Sequence, residues 1–249
     1  HQGGLKNAPN LGTYFGTIWQ AEYLAGITAG RLTKRGRLGF IVSIPIPQVL
    51  LNVNAFTRGA QSVNPAVTTR VVFTNEWCNP GKQAEAANSL IDQGVDVLTQ
   101  HQDCTKTVIQ TAEGRGISSV GYHADARTFA PKGWLTAPVW NWGPLYVDMV
   151  NTALGGQFKG SKYDGKFRGG LREGVVELAP FGPSVPDAVK AEVEEAKREL
   201  QEGTLNPLAG PVTDQDGKVR IPAGTSPDAI ALETTDYLVQ GVIGSIPKL

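Results

Sequence analysis

At 249 residues, with 41% hydrophobic and 18% charged side chains, the chain can bury one large core or two smaller ones and has the composition of a globular protein. Its 23 basic and 23 acidic residues cancel, so no net field draws it to nucleic acid or to an anionic membrane surface. No apolar run reaches the ~18 residues that cross a bilayer. No charged-then-apolar leader precedes His1, and the one methionine is Met149, which reads as a processed product or a fragment.

In chain order, TIWQAEYLAGITAGRLT (Thr17–Thr33) has helical spacing, with Ile18, Tyr23, Ala25 and Ile27 apolar and two glycines that permit close packing. No strand pair is read ahead of it. RLGFIVSI (Arg37–Ile44) is apolar and β-rich, and PQVLLNVNAFTRGAQSV (Pro47–Val63) then puts Val49, Val53, Phe56 and Ala60 on one helical face. TTRVVFTN (Thr68–Asn75) is the next strand; its helix starts at Asn79, an N-cap type, with Pro80 in the first helical position, and closes at Gly94. VDVLTQ (Val95–Gln100), a helix over about Thr105–Glu113 and ISSVGY (Ile117–Tyr122) continue the alternation. WLTAPV (Trp134–Val139) adds a fifth short strand, and GPLYVDMVNTALGGQ (Gly143–Gln157) the helix after it. Short apolar strands without strict alternation, each followed by a helix, predict a doubly wound α/β fold with a parallel sheet covered on both faces.

After Gly160 the character changes. Asp164–Pro180 is glycine-rich and hairpin-like, with VVEL as its strongest strand signal. Pro186 opens a helix with Val189, Val193, Ala196 and Leu200 on one side, closing at Gly203. The remainder, through TDQDGKVRIPAG, is turn-rich, and the chain shows no internal repeat or low-complexity tract.

In an open parallel sheet, ligands bind outside the carboxyl ends of the strands, where loops converge and helix N-termini present unpaired N–H groups. The residues there are Ser43, Ile44 and Pro45; Asn75, Glu76 and Trp77; His101, Gln102 and Asp103; Tyr122, His123 and Asp125; and Trp140, Asn141 and Trp142. Aromatic faces among amides and carboxylates suit a planar, nitrogen-containing ligand, and also a sugar. A phosphate is disfavoured, because the loops carry no Lys/Arg cluster and no G-x-x-x-x-G-K-[ST]. Trp77 stands where an apolar run gives way to polar turn residues, an odd place for core filling, although an isolated Trp can also cap a sheet end. Asp103 and Asp125 are helix-cap types as well as ligand types. His101 and His123 lack a third ligand at metal spacing, so the residues call for no metal and no cofactor. Cys78 and Cys104 match neither zinc nor C-x-x-C spacing, leaving a bridge and two free thiols both open. Free, Cys104 near a helix N-terminus with His101 or His123 as base would make a cysteine hydrolase, but no hydrolase signature surrounds it.

Four stretches carry a resemblance: Tyr14–Gly30 (YFGTIWQAEYLAGITAG), Gly36–Pro65, Asn75–Asp103 (beginning NEWCNPGK) and Gly174–Lys190 (GVVELAPFGPSVPDAVK). In unbroken order from about Tyr14 to Pro222 they resemble the basic membrane protein (BMP) family. These are extracytoplasmic substrate-binding proteins of ABC importers, whose best understood members bind purine nucleosides or bases. The resemblance implies a periplasmic-binding-protein-like (type I) fold, two α/β lobes joined by three crossovers that close on ligand. On that template 1–35 is helix and crossover of the first lobe, 36–160 the second, ligand-binding lobe, and 161–249 the return to the first lobe with a C-terminal extension. It also implies roughly 100 further residues ahead of His1, beyond one usual domain length.

By the same resemblance the protein performs no chemistry. It captures a purine base or nucleoside-like ligand and delivers it to an ABC permease, in the periplasm or as a lipid-anchored surface protein. Trp77 matches the aromatic that stacks on the base, Gln102 and Asp103 a loop lining the cleft, Asp125 an acidic position near the ligand, and Trp142 a neighbouring cleft position. His123 replaces the Asp that holds ribose hydroxyls in nucleoside-binding members, which favours a free base. The candidate ligand residues are therefore Trp77, Gln102, Asp103, Tyr122, His123, Asp125 and Trp142, with a sugar or other polar solute as the alternative ligand.

Overall fold

A computed structural model describes residue 8 and residues 10–248. Residues 1–7 of the segment expected to begin the first lobe lie outside the described residues.

The chain opens with a short strand, β1 (Thr13–Gly16), and a helix, α1 (Trp19–Leu32). The strand–helix alternation then runs β2 (Arg37–Val42), α2 (Pro47–Val63), β3 (Thr68–Phe73), α3 (Pro80–Asp92), β4 (Val97–His101), α4 (Thr105–Gly114) and β5 (Ser118–Val120). A 3-10 turn at Arg127–Phe129 leads to β6 (Trp134–Thr136), β7 (Pro138–Trp140) and α5 (Trp142–Leu154). The remainder is β8 (Lys166–Gly169), β9 (Val176–Leu178), α6 (Asp187–Glu202), β10 (Val212–Thr213), β11 (Val219–Ile221), α7 (Ala229–Leu232) and β12 (Val242–Ile243).

Among the described residues, six strands form one sheet in the order β12-β3-β2-β4-β5-β6, every pairing parallel. Side chains on β2 alternate between its faces as a strand must. Leu38, Phe40 and Val42 join the core beneath α1 and α2, whereas Ile41 joins the one beneath α3 and α4. Phe40 meets Phe56 of α2 edge-on at 5.4 Å between ring centres, an arrangement worth about 0.5–1.5 kcal/mol beyond the area buried. Asn79 caps α3 as its residue type predicts, its Oδ1 accepting from Lys82 N at 3.1 Å.

The glycines of α1 serve the close approach read from them. A Cβ on Gly26 would lie 2.1 Å from Phe56 O, and one on Gly59 of α2 would lie 2.0 Å from Tyr23 O. α1 thus packs backbone to backbone on α2, and α6 adds Val193, Ala196 and Leu200 to the same core.

Three sequence readings are corrected. A strand does precede α1: β1 pairs in parallel with β8, and at four residues it was too short to register as a period. Asp164–Pro180 is not a hairpin, since β8 pairs with β1 while β9 pairs antiparallel with β7. Phe167 of β8 and Val176 of β9 pack into different apolar clusters, so the two strands are separated by long-range burial that local glycine content cannot reveal. Trp134–Val139 is not one strand: β6 stays in the parallel sheet, and Pro138, lacking an N–H, begins β7 against a new partner. The C-terminal β12, unread in the turn-rich tail, lies beside β3 at the sheet edge.

Glu22 is an oddity of this core. It sits in the first turn of α1, fully buried, and neither carboxylate oxygen has a hydrogen-bond partner among the described residues. Burial pushes its carboxyl well above the usual carboxylate range. A folded-state pKa raised above the unfolded value costs stability as pH climbs from about 4 upward, because the unfolded chain gives up the proton first. Glu22→Gln should therefore raise the melting temperature at pH 8 by a few degrees, about 2–4 °C per kcal/mol for a chain of this size, and flatten its alkaline decline. Thermal melts of both proteins across pH check this; a variant less stable at alkaline pH would mean that the carboxylate is solvated or paired.

Candidate functional site

The doubly wound order sends β3 to one side of β2 and β4 to the other, so the strand order switches at β2. Crevices form outside the carboxyl ends at such a switch. Val42 stands level with Phe73 on one side and His101 on the other, which brings the loops after β2, β3 and β4 together.

The loop after β3 is heavily braced. Asn75 adopts φ +57°, a left-handed conformation its residue type tolerates. Thr74 Oγ1 donates to Glu76 O, and the Glu76 carboxylate is held by Lys82 Nζ at 2.5 Å and Asn79 Nδ2 at 2.9 Å. Cys78 is bonded to Cys104 in the loop after β4, and Asp103 N donates to Trp77 O at 2.7 Å. Two loops are thereby clamped over the end of β2. The Trp77 indole stays 37% exposed, so it is not core filling. The bridge also resolves the open cysteine question and removes the free Cys104 thiol that the hydrolase alternative requires.

Aromatic rings continue from Trp77 around the crevice. His101, the last residue of β4, lies 5.9 Å from Trp77 and 4.3 Å from Tyr122 between ring centres. Tyr122 lies 3.9 Å from His123, whose Nδ1 accepts from Trp140 Nε1 at 3.0 Å. Trp140 stacks on Trp142 at 4.7 Å and 20°, and Trp142 on Tyr146 at 6.0 Å and 8°. With Gln48 and Asp103, these groups from Trp77 to Trp142 line an open crevice of about 260 Å³, at the small end for ligand pockets and suited to a compact guest. A larger opening of about 470 Å³ lies beside Arg58 and Gln240, but it is away from the carboxyl ends of β2, β3 and β4 and carries no aromatic ring.

The floor is polar yet uncharged. His101 is buried, with Asn52 Nδ2 3.1 Å from its Nδ1 and Tyr122 Oη 3.0 Å from its Nε2. Burial, and secondarily the nearness of His123, holds its pKa down to about 3. Burial likewise pushes the Tyr122 phenol well above its ordinary value, with the nearby Glu22 adding to the effect. Both are neutral at physiological pH.

Five of the seven candidates, Trp77, Asp103, Tyr122, His123 and Trp142, therefore meet at one crevice. Gln102 does not face it: it is buried behind the loop, accepting from Gln83 and donating to Thr74 Oγ1 at 2.9 Å. Asp125 is also outside, exposed and paired with Arg127 at 3.2 Å while accepting from Arg127 N, a turn-capping role. Gln48, His101 and Trp140 were not among the candidates. The first turn of the helix after each strand points at the same edge, and that rule would have found Gln48. Trp140 and Trp142 lie on opposite sides of a strand end and helix start, so no single period relates them.

The profile of the ABC transporter substrate-binding protein PnrA-like (Bmp) family matches residues 2–210. A purine-binding protein of Brucella abortus (strain 2308) is 40% identical over 248 residues, covering 100% of this chain and 69% of its own. A Haloferax volcanii protein named as an ABC transporter glucose-binding protein is 33% identical over the same span, 60% of its length, so this chain covers under two thirds of that relative. Among solved structures, a transcriptional activator of the comK gene from Bacillus halodurans superposes with a TM-score of 0.74 at 23% identity, covering 83% of this chain and 70% of that one. An ABC transporter solute-binding protein from Aeropyrum pernix K1 gives 0.68 at 16%, covering 92% and 70%. The fold is thus α/β of the periplasmic-binding-protein type.

The clamp sets a measurable expectation. Cys78 and Cys104 are 26 residues apart, and closing a loop of that length contributes about 3.5 kcal/mol in the chain-entropy picture. The double variant Cys78→Ser/Cys104→Ser should lose up to about that much stability in urea unfolding, and a thiol assay on the native protein should find reactive thiols only after reduction.

Proposed function

The chain belongs to the PnrA-like (Bmp) family of ABC transporter substrate-binding proteins, a solute-binding rather than an enzyme class, and from that premise we propose that it captures a free purine base by stacking on Trp77. The observation that carries the reading is the exposed indole, held from two loops at the sheet's switch point, beside groups able to read a ring edge. A purine presents both features such a site addresses: a flat π face, and a rim of donors and acceptors matching Asp103 and Gln48. The crevice lining carries no Lys or Arg, in keeping with an uncharged guest and not a nucleotide. The name of the Brucella relative supports the ligand class.

In this reading the protein works outside the cytoplasm. Residues 36–160 present the crevice, α1, α6 and β12 pack onto the same lobe, and a second lobe closes over the bound base. The closed form then docks on an ABC permease. Stacking on one indole contributes about 1–3 kcal/mol, and enclosure on a second side adds to it.

A sugar is the second reading, favoured by the name of the Haloferax relative and by the fact that sugar rings also lie flat on indoles. Tryptophan fluorescence titrations with adenine, hypoxanthine, guanosine and glucose separate the two. Saturable quenching by the bases, weaker by guanosine and absent with glucose, is the expected pattern; a response to glucose alone would replace the purine reading. Trp77→Ala should weaken base binding roughly 5- to 150-fold with the fold intact, and unchanged affinity would reassign Trp77 to packing.

A further inference from the structure

His123 combines a backbone conformation it rarely adopts with two fully engaged ring nitrogens. Its φ of +72° lies in the left-handed region, where a side chain persists only when its surroundings hold it. The surroundings do so from several sides. Its backbone bridges Val139 of β7, and its carbonyl accepts from Trp140 N at 3.3 Å. Its Nδ1 is 3.0 Å from Trp140 Nε1, and its Nε2 is 3.2 Å from Asp103 Oδ1.

These contacts determine where the proton sits. An indole nitrogen can only donate, so the Nδ1 facing it carries no hydrogen. The carboxylate of Asp103 can only accept, so Nε2 carries one. His123 is therefore a neutral imidazole in a single tautomer. Trp140 in turn stacks on Trp142, and Trp142 on Tyr146, so the histidine's lone pair fixes the first of three stacked rings, two of which line the crevice.

We propose that His123 is the positioning residue of this site: its bare Nδ1 holds the Trp140 indole in the plane a flat ligand meets, and a second proton on the ring releases the indole and weakens capture. The ligand half of this statement rests on the purine reading; the lock between His123 and Trp140 does not. With Nδ1 protonated, two N–H groups would point at each other across 3.0 Å, and one ring must move.

The surrounding charges set the pH range. Asp103, from the loop after β4, favours the protonated ring. His101, 6.1 Å away, and Tyr122, 3.9 Å away, are both buried and neutral. On the same loop Asp125 and Arg127 offset each other. Burial outweighs Asp103 and lowers the pKa of His123, so the release lies on the acid side of the ordinary histidine value of about 6.5. The sign follows: the unfolded chain takes up the proton first, and the held arrangement loses stability as pH falls from about 6.5 downward.

Hypoxanthine, uncharged through this range, is the probe. Its Kd should rise as pH falls below the ordinary histidine value of about 6.5, approaching about tenfold per pH unit once the His123 ring is protonated. At about pH 7.5 His123→Leu should bind about tenfold more weakly. His123→Asn, which tolerates the left-handed backbone and keeps an acceptor at the Nδ1 position, should recover most of that loss and abolish the acid step. Trp140→Phe deletes the donor while keeping a ring, and should also abolish the step. The lock itself is read without ligand from ¹⁵N NMR: the Trp140 indole and His123 ring resonances should titrate together. A Kd that stays flat with pH, an acid step that survives in His123→Asn, or a Trp140 resonance that ignores the titration of His123 would each overturn the proposal. If hypoxanthine fails to bind at every pH, the purine reading falls, and the NMR titration alone still decides the lock.

Discussion

A covalent span over the end of one strand governs this site. β2 lies between β3 and β4, and the loops leaving those two strands meet above it through the Cys78–Cys104 bridge and the hydrogen bond from Asp103 N to Trp77 O. A loop-tip indole would ordinarily fold down onto the nearest apolar surface, because doing so removes area from water. Here its backbone is anchored on both sides, and Lys82, Asn79 and Thr74 brace the residue before it. The ring therefore stays partly in solvent beside polar groups and is not part of the core.

Beneath the rings, the floor is built from uncharged polar groups hydrogen-bonded to one another, with Asn52 Oδ1 left without a partner among the described residues. Asn52, His101 and Tyr122 form a buried triangle of hydrogen bonds between α2, β4 and the loop after β5. A buried network is costly unless its members are paired, and when paired it is stiff. On the proposed reading stiffness matters, because it fixes the ring planes before a ligand arrives. Neutrality matters as well: with His101 held unprotonated by burial and no Lys or Arg on the lining, little in the crevice attracts a phosphate.

The regular half of the molecule was legible in the sequence. From Arg37 to Val120 every strand and helix lies where its apolar period and caps put it, because each unit buries its own face against its immediate neighbours. The Asn79 cap and the close-packing glycines of α1 were legible for the same local reason. Pairing between distant segments was not. β1 with β8, β7 with β9 and β12 with β3 are short strands whose partners lie from about 40 to 170 residues away, and each is stabilised by burial that no window of sequence contains. The site divided along the same line. Trp77, Asp103 and Tyr122 follow regular strands and were placed by the rule of strand ends. Gln102 follows one too, but its amide was consumed by Gln83 and Thr74, a choice made by neighbours from another helix and loop.

The two walls of the crevice thus have different origins. Trp77 comes from the repeating strand–loop–helix pattern, made rigid by a cross-link. Trp140 and Trp142 come from its breakdown: the chain leaves the parallel sheet after β6, Pro138 starts a new pairing with β9, and that change of partner carries both indoles and α5 to the crevice edge. His123 lies at the junction, bridged to β7 through Val139 while its side chain reaches the loop after β4. Its left-handed backbone is what joining the two walls requires at that point. Local rules of structure are broken where a site demands it, and here the departures from regularity, at Asn75, His123 and Pro138, cluster around the crevice and set its shape.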